Sequence, residues 1–317
     1  MTSIPNQLHF VWFGEQLPCF AAVAMKSALA HNPSARVKLW HELRLRRDPR
    51  VEALEHAGVE SVVLDVEALL ARARSMVDDP AALDRIWRAL IAPAARSNVV
   101  RLLVLFLEGG IYLDTDTLTL KNLDDLRHDG AFCGLEHVLW STARLNKRRP
   151  YFWTLGPLLS GLRLGAGHFR HGYALHQAQL GWYARAANNA VLGFAPGHPF
   201  LFRAFQRMSA LPEAAWTKRY RLGTHLLQEL LASAPSNEAV VRRYPPEYFY
   251  PLGPVVSKHY FHDRRDVEAV TQRLIPKQAH VLHWYASVAD LAPLDESYIR
   301  KHQQMSVYAH LCAPFLT

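Results

Sequence analysis

Residues 108–120 read EGGIYLDTDTLTL, and the reading of this stretch decides the fold. Two carboxylates, Asp114 and Asp116, stand one residue apart just after an apolar run, where a chain leaving a strand usually turns on a single Asp. Gly109 and Gly110 can take the backbone conformations that a helix stop and a sharp turn require. A strand over 111–120 is therefore expected to begin at once. In an extended chain Ile111, Leu113 and Thr115 face one way while Tyr112, Asp114 and Asp116 face the other, so the two carboxylates would converge on one small volume.

Upstream, QLHFVWFG (7–14) reads as a buried first strand ending at a glycine. CFAAVAMKSALAHNP (19–33) carries helical spacing and stops at Asn32-Pro33. ARVKLWHE (35–42) is a second strand, RVEALEHAG (50–58) a helix closed by Gly58, and VESVVLDV (59–66) a third strand. This β-α-β-α-β order predicts an α/β fold with a doubly wound sheet, whose ligands sit at the carboxyl ends of the strands. Residues 80–110 predict helical segments around Pro93, the second ending at the glycine pair.

Downstream, strands are expected in GAFCGLEHVL (130–139) and QAHVLHWYAS (278–287), the latter carrying His283 and Trp284. NNAVLGFAPGHPFLFRAFQRMSAL (188–211) reads as a strand or loop, then a helix from near His198-Pro199. GTHLLQELLAS (223–233) is a helix, and PPEYFYPLGP (245–254) an aromatic, proline-rich loop suited to lie over a site. With no repeat or convincing linker, a single elaborated domain over 1–317 is expected.

The chain has 317 residues, 50% hydrophobic and 20% charged, which excludes a disordered protein. Three cysteines without short spacing suggest neither a zinc knuckle nor a disulfide framework, and a reducing compartment fits them. The N-terminus lacks the basic and apolar regions of a signal peptide, and no apolar run approaches the roughly 20 residues of a membrane helix. A cytoplasmic protein without an anchor is expected. The net charge of +8 suggests attraction to phosphates or anionic lipid, at the inner face of a membrane. The basic groups, such as NKRRP (146–150) and TKRYR (217–221), lack the aromatic interleaving of a nucleic-acid face, so no nucleic-acid partner is expected.

A hard divalent cation takes oxygen ligands, and Mg²⁺ or Mn²⁺ is often held by one or two carboxylates with phosphate and water completing its shell. Asp114 and Asp116 fit that chemistry, and a cation there would neutralise charge on a leaving diphosphate. Asp-x-Asp alone is a short motif that solvated turn carboxylates also explain. The sequence has no G-x-x-x-x-G-K-[ST] loop, no G-x-G-x-x-G after its first strand and no G-x-S-x-G elbow. A doubly wound start without these cradles points to a nucleotide diphosphate held through a metal.

The segment ARSNVVRLLVLFLEGGIYLDTDTLTLKNLDDL (95–126) resembles the donor-binding core of the Asp-x-Asp enzymes of glycosyltransferase family 32. IPNQLHFVWFG resembles that family's opening strand. NNAVLGFAPGHPFLFRAF and PPEYFYPLGP resemble segments of its α-1,4-galactosyl- and α-1,4-N-acetylglucosaminyltransferase members, and AHVLHWYAS their closing region. The resemblance implies a GT-A fold, with 1–126 mainly a nucleotide-sugar-binding half continuous with an acceptor-binding half over 127–317. It implies Mn²⁺ (or Mg²⁺) as metal and a nucleotide diphosphate sugar, UDP-linked by preference, as donor. By position, Asp116 would ligate the metal, Asp114 would touch the donor ribose or sugar through or beside the metal shell, and Arg101 would lie beside the donor. Val11, Trp12 and Gly14 would meet the nucleobase, and His283 would approach the metal or diphosphate.

Two departures stand out. Asn98 follows Ser97 where the family has Ser-Asp, and Thr224 follows Gly223 where the galactosyltransferase-like members have Gly-Pro. Asn98 remains able to bond sugar hydroxyls, whereas acceptor specificity does not carry over. Asn188, Asn189 and Glu136 are polar residues in apolar, strand-like runs, which suggests cleft-facing positions, with backbone-satisfied burial explaining them almost as well. His283 beside Trp284 reads equally as a packed histidine. Arg101 has no acidic neighbour at helical spacing, since Ser97, Asn98, Val104 and Leu105 occupy those positions. The expectation is a metal-dependent, retaining glycosyltransferase moving a hexose or N-acetylhexosamine to a glycan, glycolipid or protein hydroxyl. Its rivals are a toxin-like protein-modifying transferase, a nucleotide-sugar hydrolase, and a non-catalytic phosphate- or glycan-binding module.

Overall fold

Nine strands form among the described residues: β1 (Gln7–Trp12), β2 (Arg36–His41), β3 (Val59–Val63), β4 (Gly110–Leu113), β5 (Thr117–Thr119), β6 (Ala131–Val138), β7 (Ala184–Phe194), β8 (Arg242–Tyr244) and β9 (Val281–His283). The structure is a computed structural model that describes residues 3–74, 77–140, 148, 150–169, 171–233, 240–286 and 294–316. Seven strands make one sheet in the order β3-β2-β1-β4-β7-β6-β8, while β5 and β9 pair separately. The protein is α/β, and its sheet begins doubly wound as expected: β1 runs parallel to β2 and β4, and β2 to β3. The sheet is mixed, because β7 lies antiparallel to β4, from Gly110↔Phe194 to Leu113↔Val191. Among the described residues no helix is long and apolar enough to cross a membrane.

Helices form where apolar spacing places them, over Cys19–His31, Pro49–His56, Pro80–Ala89, Pro93–Glu108, Pro199–Ser209 and Thr224–Ala232. Pro at the first turn and Asp48 or Asp79 as N-cap, each accepting a backbone N–H, fix the starts of Pro49–His56 and Pro80–Ala89. Helices over Val66–Arg74, Leu155–His168, Gly172–Gln179, Val267–Leu274, Glu296–His302 and Val307–Cys312 join them. The sequence reading passed over these six.

The chain divides into two compact units. The first comprises Met1–Thr115, Lys121–Gly134 and Ala187–Tyr244; the second comprises Asp116–Leu120, Leu135–Ala186 and Pro245–Thr317. Residues 187–244 thus fold with the N-terminal part, not with the rest of 127–317. In the first unit the core is formed by β1, β2 and β4 with the helix Pro93–Glu108, through residues such as Phe10, Leu39, Leu103 and Ile111. In the second, Trp284 packs edge-on against Phe261 and Tyr308, with Phe249 and Tyr250 buried nearby in sequence.

One continuous strand over 111–120 does not form. β4 ends at Leu113, Asp114–Asp116 turn, and β5 pairs antiparallel with β9, Thr117 opposite His283. The break has a hydrogen-bonding cause. Asp114 N–H still donates to Ala190 O of β7 (2.8 Å), whereas Asp116 O accepts from Trp284 N–H (3.2 Å), so the two residues pair with different strands. Asp is also a poor strand residue. PPEYFYPLGP is largely core: Phe249, Tyr250 and Leu252 are buried, and the carbonyls of Tyr248 and Phe249 accept the N–H groups of His280 and His283. It props up β9.

The glycine pair does act as the device that starts β4. Gly109 and Gly110 both have positive φ, +67° and +106°. A Cβ on Gly110 would stand 2.7 Å from both Gln7 O and His9 Nε2. His9 Nε2–H donates to Gly109 O (2.8 Å) and Trp40 Nε1–H donates to His9 Nδ1 (3.1 Å), so the imidazole is held neutral. Burial, helped by the Lys38 charge, pushes its pKa down to about 3.

Gly110→Ala should therefore cost about 2–4 kcal/mol, read as a lowered melting temperature, because it adds both strain and a clash. His9 also sets a pH dependence. Between its ordinary pKa near 6.5 and about 3, the unfolded chain binds a proton that the folded chain refuses. Its contribution is complete above pH 6.5 and is lost as pH falls, so the urea midpoint should drop more steeply from pH 7 to 4 in the wild type than in His9→Gln.

Candidate active site around Asp114 and Asp116

In the first unit Asp114 closes a network built from the helix Pro93–Glu108, the end of β4 and the middle of β7. Tyr112 Oη–H donates to Asp114 Oδ1 (2.6 Å), and Arg101 Nη2 lies 3.1 Å from the same oxygen. Arg101 Nη1 donates to Asn189 O (2.6 Å), its Nε to Ser97 O, and its guanidinium carbon lies 4.4 Å from the centre of the Tyr112 ring. Arg101 is only 5% exposed. A buried guanidinium requires a counter-charge and full hydrogen bonding, and Asp114 with Asn189 O and Ser97 supplies both. Burial, with Asp114 adding to it, pushes the Tyr112 phenol pKa far up, so it stays a donor. The ion pair that helical spacing did not offer Arg101 comes from tertiary structure instead.

Asn98 and Asn189 meet in the same unit, Asn189 Nδ2–H donating to Asn98 Oδ1 (2.8 Å). Asn188, its strand neighbour, points to the opposite face and is buried, its Oδ1 accepting Ala190 N–H. Val11, Trp12 and Gly14 leave β1 at the carboxyl edge. Because His9 pairs with Tyr112 in parallel register, that edge is the one from which Asp114 emerges. Val11 is buried; Trp12 is half-buried, with its indole N–H on Gln16 O (2.9 Å) and its ring edge-on to Phe20. Gly14 lies under that indole: a Cβ there would approach Trp12 Nε1 to 2.8 Å. Trp12 is thus fixed in place with part of its surface open.

In the second unit Asp116 faces His283. His283 Nε2–H donates to Asp116 Oδ1 (3.0 Å) and Ala286 N–H to Oδ2 (2.8 Å). Burial alone would raise the Asp116 pKa, but the positive charge of His283 and these hydrogen bonds outweigh it and hold the carboxyl below its ordinary range. Tyr250 and Tyr285 pack around the His283 ring at 5.7 and 4.0 Å between centroids. Tyr285 is a residue that sequence reasoning missed. It is one of two non-glycine residues with positive φ (59°) among those described, a costly conformation for an aromatic residue. That turn carries the chain from β9 to the Ala286 N–H that binds Asp116. The Tyr285 hydroxyl is anchored on Glu136 (3.0 Å), which the sequence had marked as cleft-facing. Nothing in the sequence signals a left-handed tyrosine.

Asp116, His283 and Asp114 are all of types that ligate divalent cations. A carboxylate oxygen and an imidazole nitrogen sharing a proton at 3.0 Å form a mixed oxygen and nitrogen donor set, which a divalent cation would engage in place of that proton. Of the basic groups, TKRYR is described, with Arg219 stacked on an exposed Tyr220, while Asn146, Lys147 and Arg149 of NKRRP lie outside the described residues, as does Ser287 of the closing segment.

Residues 21–132 match the family described as "Glycosyltransferase sugar-binding region containing DXD motif". The match takes in Arg101, Asp114 and Asp116, over less than half of the chain, and it supports a glycosyltransferase whose sugar-binding region carries this motif. No curated protein sequence matches significantly. Among solved structures, the chain is similar to PaToxG glycosyltransferase at 14% identity, covering 72% of this chain and 69% of that one, with TM-score 0.49. It is similar also to the UDP-bound glycosyltransferase domain of the YGT toxin (13% identity, 76% and 79% covered, TM-score 0.42). The third is mouse xyloside xylosyltransferase 1 (14% identity, 90% and 99% covered, TM-score 0.45). At these scores the likenesses are loose and say nothing of this chain's substrate.

Asp114→Ala should destabilise the fold by about 3–5 kcal/mol, because it strands a buried guanidinium. Arg101→Met combined with Asp114→Ala should recover much of that loss in a urea titration, and a double variant no more stable than Asp114→Ala would show that the pair does not behave as a unit.

Proposed function

We propose that the protein is a metal-dependent GT-A glycosyltransferase that moves a hexose or N-acetylhexosamine from a nucleotide diphosphate sugar to a hydroxyl of a glycan, glycolipid or protein. The observation that carries the reading is the Asp116–His283 pair, in which Asp116 lies within the match to the sugar-binding region and His283 reaches it from far along the chain. Asp116 and His283 would hold the metal. A divalent cation bound there supplies positive charge against the leaving diphosphate.

The chain's own residues do the rest. Ala286 N–H and His283 orient the Asp116 carboxylate, and Glu136 fixes Tyr285 so that this N–H points inward. Arg101 holds Asp114 in place from below, which makes it a positioning residue, and Asp114 presents its carboxylate to the donor ribose or sugar. Trp12, with Val11 and Gly14, offers a fixed aromatic surface for the base. Residues 1–126 then serve mainly the donor, and 127–317 mainly the acceptor. Retention of anomeric configuration, UDP as the nucleotide, and a cytoplasmic place of work against anionic membrane belong to the same proposal. The first two follow from the family resemblance, the last from the +8 charge.

Calorimetry tests it. UDP should bind in the presence of Mn²⁺ and weaken by about 100-fold or more when the metal is chelated. Asp116→Asn should abolish the metal-dependent part while its melting temperature without ligand stays within a few degrees of the wild type. Metal-independent turnover by Asp116→Ala would refute the assignment. Product analysis with glycan and protein acceptors separates glycan synthesis from protein modification.

A further inference from the structure

Beside the Asp114 network, the first unit contains a pocket that the sugar-transfer chemistry does not account for. It is small, a cavity of about 10 Å³ with room for little more than one methyl-sized group, and Leu102, Leu192, Leu222 and Leu226 line it with Asn189 and Gly223. These four leucines are at most 7% exposed, so the interior is apolar. Asn189 joins the pocket to the network: its carbonyl accepts from Arg101, which in turn holds Asp114.

The polar residues at this pocket are paired. Asn189 donates to Asn98 Oδ1, which leaves Asn98 Nδ2 as an available donor and Asn189 Oδ1 as an available acceptor among the described residues. Turning both amides over changes which residue gives which, and still leaves amide N–H donors and an amide oxygen acceptor at the pocket. Both residues are half-buried. Gly223 makes the pairing possible, since a Cβ there would stand 2.8 Å from Asn189 Nδ2 and 3.1 Å from Asn98 Oδ1 and Nδ2.

One donor, one acceptor and an adjoining apolar pocket are the complement of an acetamido group, with its carbonyl, its N–H and its methyl. A hydroxyl would satisfy the amides and leave the leucines bare. An aspartate at 98 would offer no donor at all. We infer that the paired amides of Asn98 and Asn189, with the leucine pocket behind them, select a 2-acetamido sugar as the donor's transferred group. The inference rests on the donor reading above, and narrows it from hexose or N-acetylhexosamine to the latter.

Burial of a methyl together with two amide hydrogen bonds separates such substrates by about tenfold to a few hundredfold. The experiment is competition calorimetry with Mn²⁺, comparing UDP, UDP-glucose, UDP-N-acetylglucosamine, UDP-galactose and UDP-N-acetylgalactosamine. At least one N-acetyl donor should bind tenfold or more tightly than its plain hexose counterpart. Gly223→Ala, which displaces the amide pair, and Asn98→Asp, which removes the donor and keeps the shape, should each reduce that ratio to about twofold or less. A ratio near one in the wild type with normal UDP binding overturns this inference and leaves the donor reading standing. A preference that survives in both variants overturns its assignment to this pocket. Absence of binding by UDP and every UDP-sugar overturns both.

Discussion

A buried cation sets the terms for the first unit. Arg101 sits within the helix Pro93–Glu108 at 5% exposure, where an unpaired guanidinium would be prohibitive. It is satisfied by Asp114 on one side, Asn189 O on another and Ser97 beneath, and it rests on the Tyr112 ring. One side chain therefore ties the helix, the end of β4 and the middle of β7 together. The arrangement also explains why Asp114 keeps its backbone hydrogen bond to β7 while its carboxylate turns back toward the helix. Having made that turn, the chain does not continue as a strand, and Asp116 is released to a different set of partners.

Those partners are His283, the Ala286 N–H and, through Tyr285, Glu136. A single strained residue links them. Tyr285 at positive φ would be unfavourable in isolation, and it persists because its ring packs on His283 and its hydroxyl is bonded. Strain of this kind, fixed by packing and placed beside a carboxylate with lowered pKa, is common where a side chain must be held in one orientation for chemistry. The aromatic loop over Pro245–Pro254 contributes from behind, since Phe249 O accepts the His283 N–H.

The two aspartates of one short motif thus have unequal surroundings. Asp114 is committed to a buried arginine and a phenol, which gives it a structural task alongside any contact with a donor. Asp116 has a histidine, whose ring nitrogen can lose its proton to solvent and take a cation in its place, and a backbone N–H, which cannot leave. An Asp-x-Asp motif on a solvated turn would show neither set of partners. That difference in surroundings could not have been drawn from spacing.

The sequence by itself determined the α/β class, the doubly wound start, the glycine pair that opens β4 and the candidate residues Asp114 and Asp116, with Arg101 and His283 added by the family resemblance. The class, the start and the glycine pair were legible because local rules govern them: apolar periodicity marks strands and helices, and adjoining glycines mark a turn that takes positive φ. The tertiary structure decided the rest. Strand alternation put Tyr112, Asp114 and Asp116 on one face, but hydrogen bonds to β7 and to the segment after β9 broke the strand between the two carboxylates. Helical spacing found no partner for Arg101, because its counter-ion lies 13 residues on, beyond the reach of any i, i+4 rule. The short helices of the second unit were passed over, the aromatic loop turned out to be core, and Tyr285 gave no sign of its backbone. Each depends on contacts between residues far apart in the chain, and such contacts leave no periodic trace in the sequence.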